Sequence, residues 1–196
     1  MNELLAHPLA QHVQAWAEAE QEIEPPSDQY CPTRDIFDAR TDSLRITLIH
    51  RGYEDQRADL LHSLISEIGG NSFDHNIGQW KDVPGICFSR DVGVADALII
   101  LADRGQGIRT TLQRVLPTLT SDAQALHTAF TERVSGRAPE RRGNGLKFVR
   151  KAILSDGIDL FFQSGSAQYS ITRGQEVWGD AERVLPGCFA ILHFSR

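Results

Sequence analysis

The sequence has no apolar run near the roughly 18 residues needed to span a bilayer. Its start, Met1-Asn2-Glu3-Leu4, lacks the basic stretch of a secretory signal. Cysteine is scarce: Cys31, Cys87 and Cys188 lie far apart with no CxxC. That excludes a disulfide scaffold and a cysteine zinc site and fits a reducing compartment, so the expected location is cytoplasmic. A positive balance is missing too. Twenty Lys and Arg stand against 26 Asp and Glu, for a net charge of -6, which argues against a protein that grips nucleic acid through its phosphates. There is no repeat and no low-complexity tract. What remains is a chain of 196 residues, 41% apolar and 23% charged. That is enough for one folded domain with its own core, and it is not the composition of a disordered chain, a collagen or a rod.

Residues 3–22 carry Leu4, Leu5, Leu9, Val13 and Trp16 at helical spacing, predicting a helix that ends before Pro25-Pro26. It would pack on the domain or on a second copy, or serve a dedicated partner. Residues 44–50 alternate and are rich in β-formers, predicting a strand. Asp55 is expected to cap a helix from about 56 to 75. Ile86–Ser89 and Ala97–Ala102 read as strands, the second apolar throughout and so buried on both faces. Ser121 with Gln124 forms a capping-box pattern for a helix to about Val134. Leu146–Leu154 reads as a helix, and 158–163, 168–172 and 188–194 as strands. Interleaved elements with closely spaced late strands predict a two-layer α/β sandwich rather than a strict βαβ series.

Three segments carry chemistry. In the 56–75 helix, a stripe that begins with Leu60 and Leu64 continues as Glu67, Asn71 and His75. Residues four apart share a face, so a carboxylate, an amide and an imidazole point together. They form either a solvated flank or a site in which the carboxylate orients a water and the amide oxygen meets a hard cation such as Mg2+. Gly69-Gly70, costly inside a helix, would let a ligand or another backbone come close. The second segment is Asp103-Arg104-Gly105-Gln106-Gly107-Ile108, a carboxylate at the end of a buried strand followed by two glycines. A carboxylate accepts hydrogen bonds only and suits an exocyclic amine such as that of adenine. A dinucleotide fingerprint is disfavoured, because Thr110 stands where the third glycine would be. The third segment is Arg141-Arg142-Gly143-Asn144-Gly145-Leu146-Lys147. Glycines opening a helix among basic side chains make a natural phosphate site.

In this order, Ser66–Asn76, Asp103–Gly107 and Gly143–Leu146 resemble the N box and the two glycine boxes of the GHKL ATP-binding domain. That superfamily includes gyrase, heat-shock chaperone, histidine-kinase and mismatch-repair ATPases and the serine kinases that act as anti-sigma factors. The match covers roughly 44–194, and the spacing of Glu, Asn and His is similar to that of the anti-sigma kinases. The resemblance implies a mixed, mainly antiparallel sheet with helices on one face. It implies an ATP-binding domain over 40–196 with a mobile lid at about 109–142, which leaves 1–26 as the N-terminal helix, for packing or dimerisation.

The resemblance also assigns roles, with ATP and Mg2+ as cofactors. Glu67 would polarise or deprotonate the attacking group. Asn71 would hold Mg2+, and His75 and Asn76 would lie near ribose or phosphate. Asp103 would receive the adenine amine, with Gly105, Gly107 and Ile108 admitting base and ribose. Gly143, Gly145 and Leu146 would cradle phosphates, and Arg141, Arg142 and Lys147 would face the γ-phosphate. Cys188, after Gly187, stands where the family often has a base-binding Thr; a thiol is a weak donor and acceptor, which bears on base affinity. Too few residues precede the domain for a phospho-accepting dimerisation unit, so His7 and His12 are expected at the surface.

The expected function is that of a stand-alone regulatory protein serine kinase of the anti-sigma type, or a slow ATPase. Its partner would be a sigma factor, an anti-anti-sigma-like protein or another phospho-acceptor; a homodimer is conceivable, and neither nucleic acid nor membrane is expected. The alternative is a non-catalytic switch in which nucleotide orders the lid and creates a surface for a partner. An interaction module that binds no nucleotide is a third reading.

Overall fold

A computed structural model describes residues 1–132 and 145–196. The helices are α1 (Asn2–Leu5), α2 (Pro8–Glu18), α3 (Arg34–His50), α4 (Asp55–Asn76), α5 (Gly107–Gln113), α6 (Asp122–Thr131) and α7 (Gly145–Asp156). The strands are β1 (Tyr30–Cys31), β2 (Ile86–Val92), β3 (Asp96–Asp103), β4 (Asp159–Thr172) and β5 (Gln175–Ser195). They form one sheet in the order β1-β2-β3-β5-β4, and each of its ladders is antiparallel. The α/β sandwich is as expected, with two corrections: the sheet is antiparallel throughout rather than mixed, and helices do not keep to one face, because α2 packs on the side opposite α3, α4, α6 and α7.

Period-2 alternation sorts the strand side chains cleanly. Phe88, Ile99, Leu101, Leu160, Phe162, Leu192 and Phe194 join the core beneath α3, α4, α6 and α7. Cys87, Leu98, Ile100, Phe161, Phe189 and Ile191 point the other way and meet Ala10, Val13, Trp16 and Ala17 of α2. This double cover explains why β3 is apolar on both faces. It also shows where the N-terminal helix spends its apolar stripe, namely on the sheet of its own chain. Among the described residues no helix is long and apolar enough to cross a membrane.

Several elements differ from the sequence expectation. Residues 44–50 belong to α3, not to a strand. Phe37, Thr41, Leu44 and Leu48 are buried at helical spacing, while Ile46, which strand alternation would bury, is 52% exposed. Burial of this stripe against α4 outweighs the weak β preference of its Ile and Thr residues. The N-terminal helix breaks in two at Pro8, which opens α2 with His7 as its N-cap accepting from the Leu9 N–H. A missing N–H is harmless only in a first turn. Asp55 lies in the first turn of α4, and Glu54 is the N-cap. Ser121 caps α6 through the Gln124 N–H, but the Gln124 carboxamide turns back to Thr120. The predicted strands 158–163 and 168–172 are one strand, β4. Leu185–Cys188 lie within β5, where Pro186 and Gly187 have no ladder partner on β4 because Ser164 pairs with Cys188 and Gly165 with Leu185.

Gly69 and Gly70 also find a packing reason here, while Gly70 lines the cleft described below. A Cβ on Gly69 would strike the Phe37 ring of α3, and one on Gly70 would lie 3.1 Å from the Arg34 guanidinium. The glycine pair lets α3 close on α4. Gly69→Ala is expected to overpack this contact and cost about 1–3 kcal/mol, read as a lower urea midpoint. An unchanged midpoint would show that the Phe37 ring yields freely.

Candidate functional site

The C-terminal half of α4, the end of β3 and the first turn of α7 converge on one cleft of about 750 Å³. That volume suits a small-molecule or cofactor ligand. Glu67, Asn71, His75 and Asn76 line it from α4, Asp103, Gly107 and Ile108 from the bend after β3, and Gly145 and Leu146 from α7. Phe162, Ala190 and Cys188 also line it, from β4 and β5. Glu67 and Gly145 are in close approach: a Cβ on Gly145 would collide with Glu67 Oε2 and lie 3.7 Å from Asn71 Nδ2. Gly145 and Leu146, the first described residues of α7, thus stand beside a carboxylate and an amide.

Asp103 is the most enclosed charged group of the cleft. Ser72 Oγ donates to its Oδ2 at 2.7 Å, Asn76 Nδ2 to Oδ1 at 3.3 Å, and the Gly105 N–H to Oδ1 at 2.8 Å. Burial pushes its pKa up, and the donors from Ser72, Gly105, Cys188 and Asn76 pull the other way. Gly105 lies behind the surface, where a Cβ would strike the Asn76 carboxamide. Gly107 has φ +75, a left-handed conformation that glycine adopts without strain. Gly187 presses on the Asp103 backbone so closely that a Cβ would overlap its carbonyl oxygen. Burial, with the Asp103 carboxylate adding to it, pushes the Cys188 thiol well above its ordinary range. Cys188 therefore stays a neutral thiol, 3.6 Å from Ser164 Oγ.

No family model matches the chain, and no curated protein matches it.

Of the residues singled out from sequence, ten line the cleft. Lys147 is exposed and is not among the lining residues. Arg141, Arg142 and Gly143 lie outside the described residues, as does the expected lid beyond residue 132. The earlier part of that lid contains α5 and α6, whose Thr111, Leu112, Arg114 and Ala129 form a wall of the cleft.

Three site residues escaped the sequence reading. Ser72 lies four residues before Asn76, and both reach Asp103; their i,i+4 spacing was the available signal. Arg114 donates to Gln106 Oε1 at 2.8 Å, and Gln106 donates to the His75 carbonyl, so α5 is stitched to the end of α4. Arg34 pairs with Asp74 at 2.7 Å on the rim. Nothing in the local sequence around either arginine marks it.

Among the described residues no cluster of three His, Cys, Asp or Glu side chains could hold a metal ion. The charged side chains described on the cleft wall are four carboxylates (Glu67, Asp74, Asp103 and Glu132) against the guanidinium groups of Arg34 and Arg114.

Proposed function

We propose that the cleft binds Mg·ATP and that the chain carries a histidine-kinase-like ATPase domain of the GHKL type, acting as a regulatory protein serine kinase or a slow ATPase. The observation that carries this reading is the convergence of Glu67, Asn71, Asp103, Gly107 and Gly145 on one cavity. These residues come from three segments that are far apart in the chain, and each has the chemistry its place requires. The carboxylate of Asp103 would accept from the exocyclic amine of adenine. The bend at Gly107 and the side chain of Ile108 would admit base and ribose, with Cys188 bordering the base. The first turn of α7, at Gly145 and Leu146, would offer N–H groups to phosphate oxygens.

The donor set fits a magnesium ion that arrives with its nucleotide. Mg2+ commonly takes one or two protein ligands and fills the rest of its octahedron with phosphate oxygens and water. Asn71, one turn along α4 from Glu67 and near Gly145, would supply the protein ligand. The bound ion would neutralise phosphate charge beside the carboxylates of the wall. Glu67, held next to Gly145 of α7, would take a proton from the attacking hydroxyl of a partner serine or from water. Positioning and electrostatics do the remaining work in phosphoryl transfer. The acceptor would be a regulatory protein such as a sigma factor or an anti-anti-sigma-like partner.

Isothermal titration tests the reading. ATP is expected to bind in the presence of Mg2+, and EDTA is expected to weaken binding at least tenfold, about 1.4 kcal/mol. Absence of ATP binding with Mg2+ present, in a folded sample, overturns it.

A further inference from the structure

We propose that Arg104 is a positioning residue that ties the N-terminal segment on the back of the sheet to the Asp103–Gly105 bend in the cleft. Ligand binding on one face and docking of that segment on the other then reinforce each other. The proposal rests on the ATP reading above and names a regulation of that site.

Arg104 is 0% exposed, and its side chain points away from the cleft into the junction of α2 with the sheet. Its Nε donates to Asp82 Oδ1 at 2.7 Å and its Nη2 to Asp82 Oδ2. Nη1 donates to the Trp16 carbonyl at 2.6 Å and Nη2 also to the Gln21 carbonyl at 3.1 Å. The guanidinium carbon lies 5.8 Å from the Trp16 ring centroid. The Arg104 carbonyl accepts from the Lys81 N–H at 2.8 Å, and Lys81 Nζ donates to the Ala19 carbonyl at 3.3 Å. The N-terminal segment thus holds both the side chain of Arg104 and the loop that binds its backbone.

The bend has no slack to absorb a movement of Arg104. Its chain neighbours are Asp103, held by Ser72 and Asn76, and Gly105, whose N–H is spent on Asp103 and whose missing Cβ leaves no gap before Asn76. A buried guanidinium cannot drop its carbonyl partners cheaply. Displacing residues 16–21 therefore shifts Arg104 and, one peptide bond away, the carboxylate that reads the base. Coupling of this kind is reciprocal.

Hydrogen exchange of the full chain, with and without Mg·ATP, decides the matter. In the wild type, Mg·ATP is expected to slow amide exchange in residues 67–76. It is also expected to slow residues 8–18, on the far face, at least about fivefold. In Arg104→Lys the response at 67–76 persists, the response at 8–18 is lost, and ATP binds at least about fivefold more weakly. A purely structural Arg104 would leave exchange at 8–18 independent of ligand. Wild-type protection at 67–76 without any at 8–18 overturns the proposal and leaves the ATP reading standing. No response in either segment, with no heat of ATP binding, overturns both. The wild-type comparison settles the question even if Arg104→Lys fails to fold.

Discussion

Arg104→Met is expected to cost about 3–5 kcal/mol of folding free energy, the range for removing one partner of a buried ion pair. Methionine fills much of the same space, so the loss comes from what stays behind. The Asp82 carboxylate, with 14% of its side chain exposed, loses the guanidinium that holds its pKa below the usual carboxylate range. The carbonyls of Trp16 and Gln21 lose their donors, and the end of α2 loses its anchor. Urea unfolding at neutral pH checks this. The double variant Arg104→Met, Asp82→Leu should recover part of the loss, because it removes the stranded charge. A single-variant loss below about 1 kcal/mol, the level of an exposed pair, would show that water reaches this junction.

Glu67→Gln is expected to lower turnover of Mg·ATP by roughly 10²–10⁴-fold, the usual contribution of a general base, while ATP binding and thermal stability stay near wild type. Glu67 is exposed in the cleft and is not among the buried residues that pack α4. Glutamine keeps its shape against Gly145 and loses only the ability to take a proton. Steady-state phosphate release, with a titration of ATP on the same sample, separates the two effects. Equal turnover in wild type and variant would strip Glu67 of the proposed role. A variant that no longer binds ATP would place Glu67 in ligand binding instead.

The legible parts of this protein were those with strong periodicity. The 22 residues of α4 could be placed to within a residue or two, because Leu61, Ile65 and Ile68 repeat at helical spacing. The polar stripe of Glu67, Asn71 and His75 followed from the same geometry. β3 was legible because an apolar run bounded by a glycine-containing bend fits little but a buried strand. The misread segment, Leu44–His50, is short and β-rich, and periods of 2 and 3.6 both place Leu44 and Leu48 on one face. Only burial against α4, with Ile46 left outside, decides between them. Gly69 and Gly70 were visible as an anomaly, yet their cause, Phe37 and Arg34, lies more than 30 residues away in the chain.

By itself the sequence determined the class of fold, the long helix and the residue types that could meet at a site, because these rest on spacings within a few residues. The tertiary structure alone decided that α2 covers the back of its own sheet, that Ser72 and Asn76 together hold Asp103, and that Arg104 faces away from its neighbour to bind residue Trp16. The physical reason is range. Ser72 and Asp103 are 31 residues apart and Trp16 and Arg104 are 88 apart, and hydrogen bonds over such separations leave no periodic trace in the chain between them.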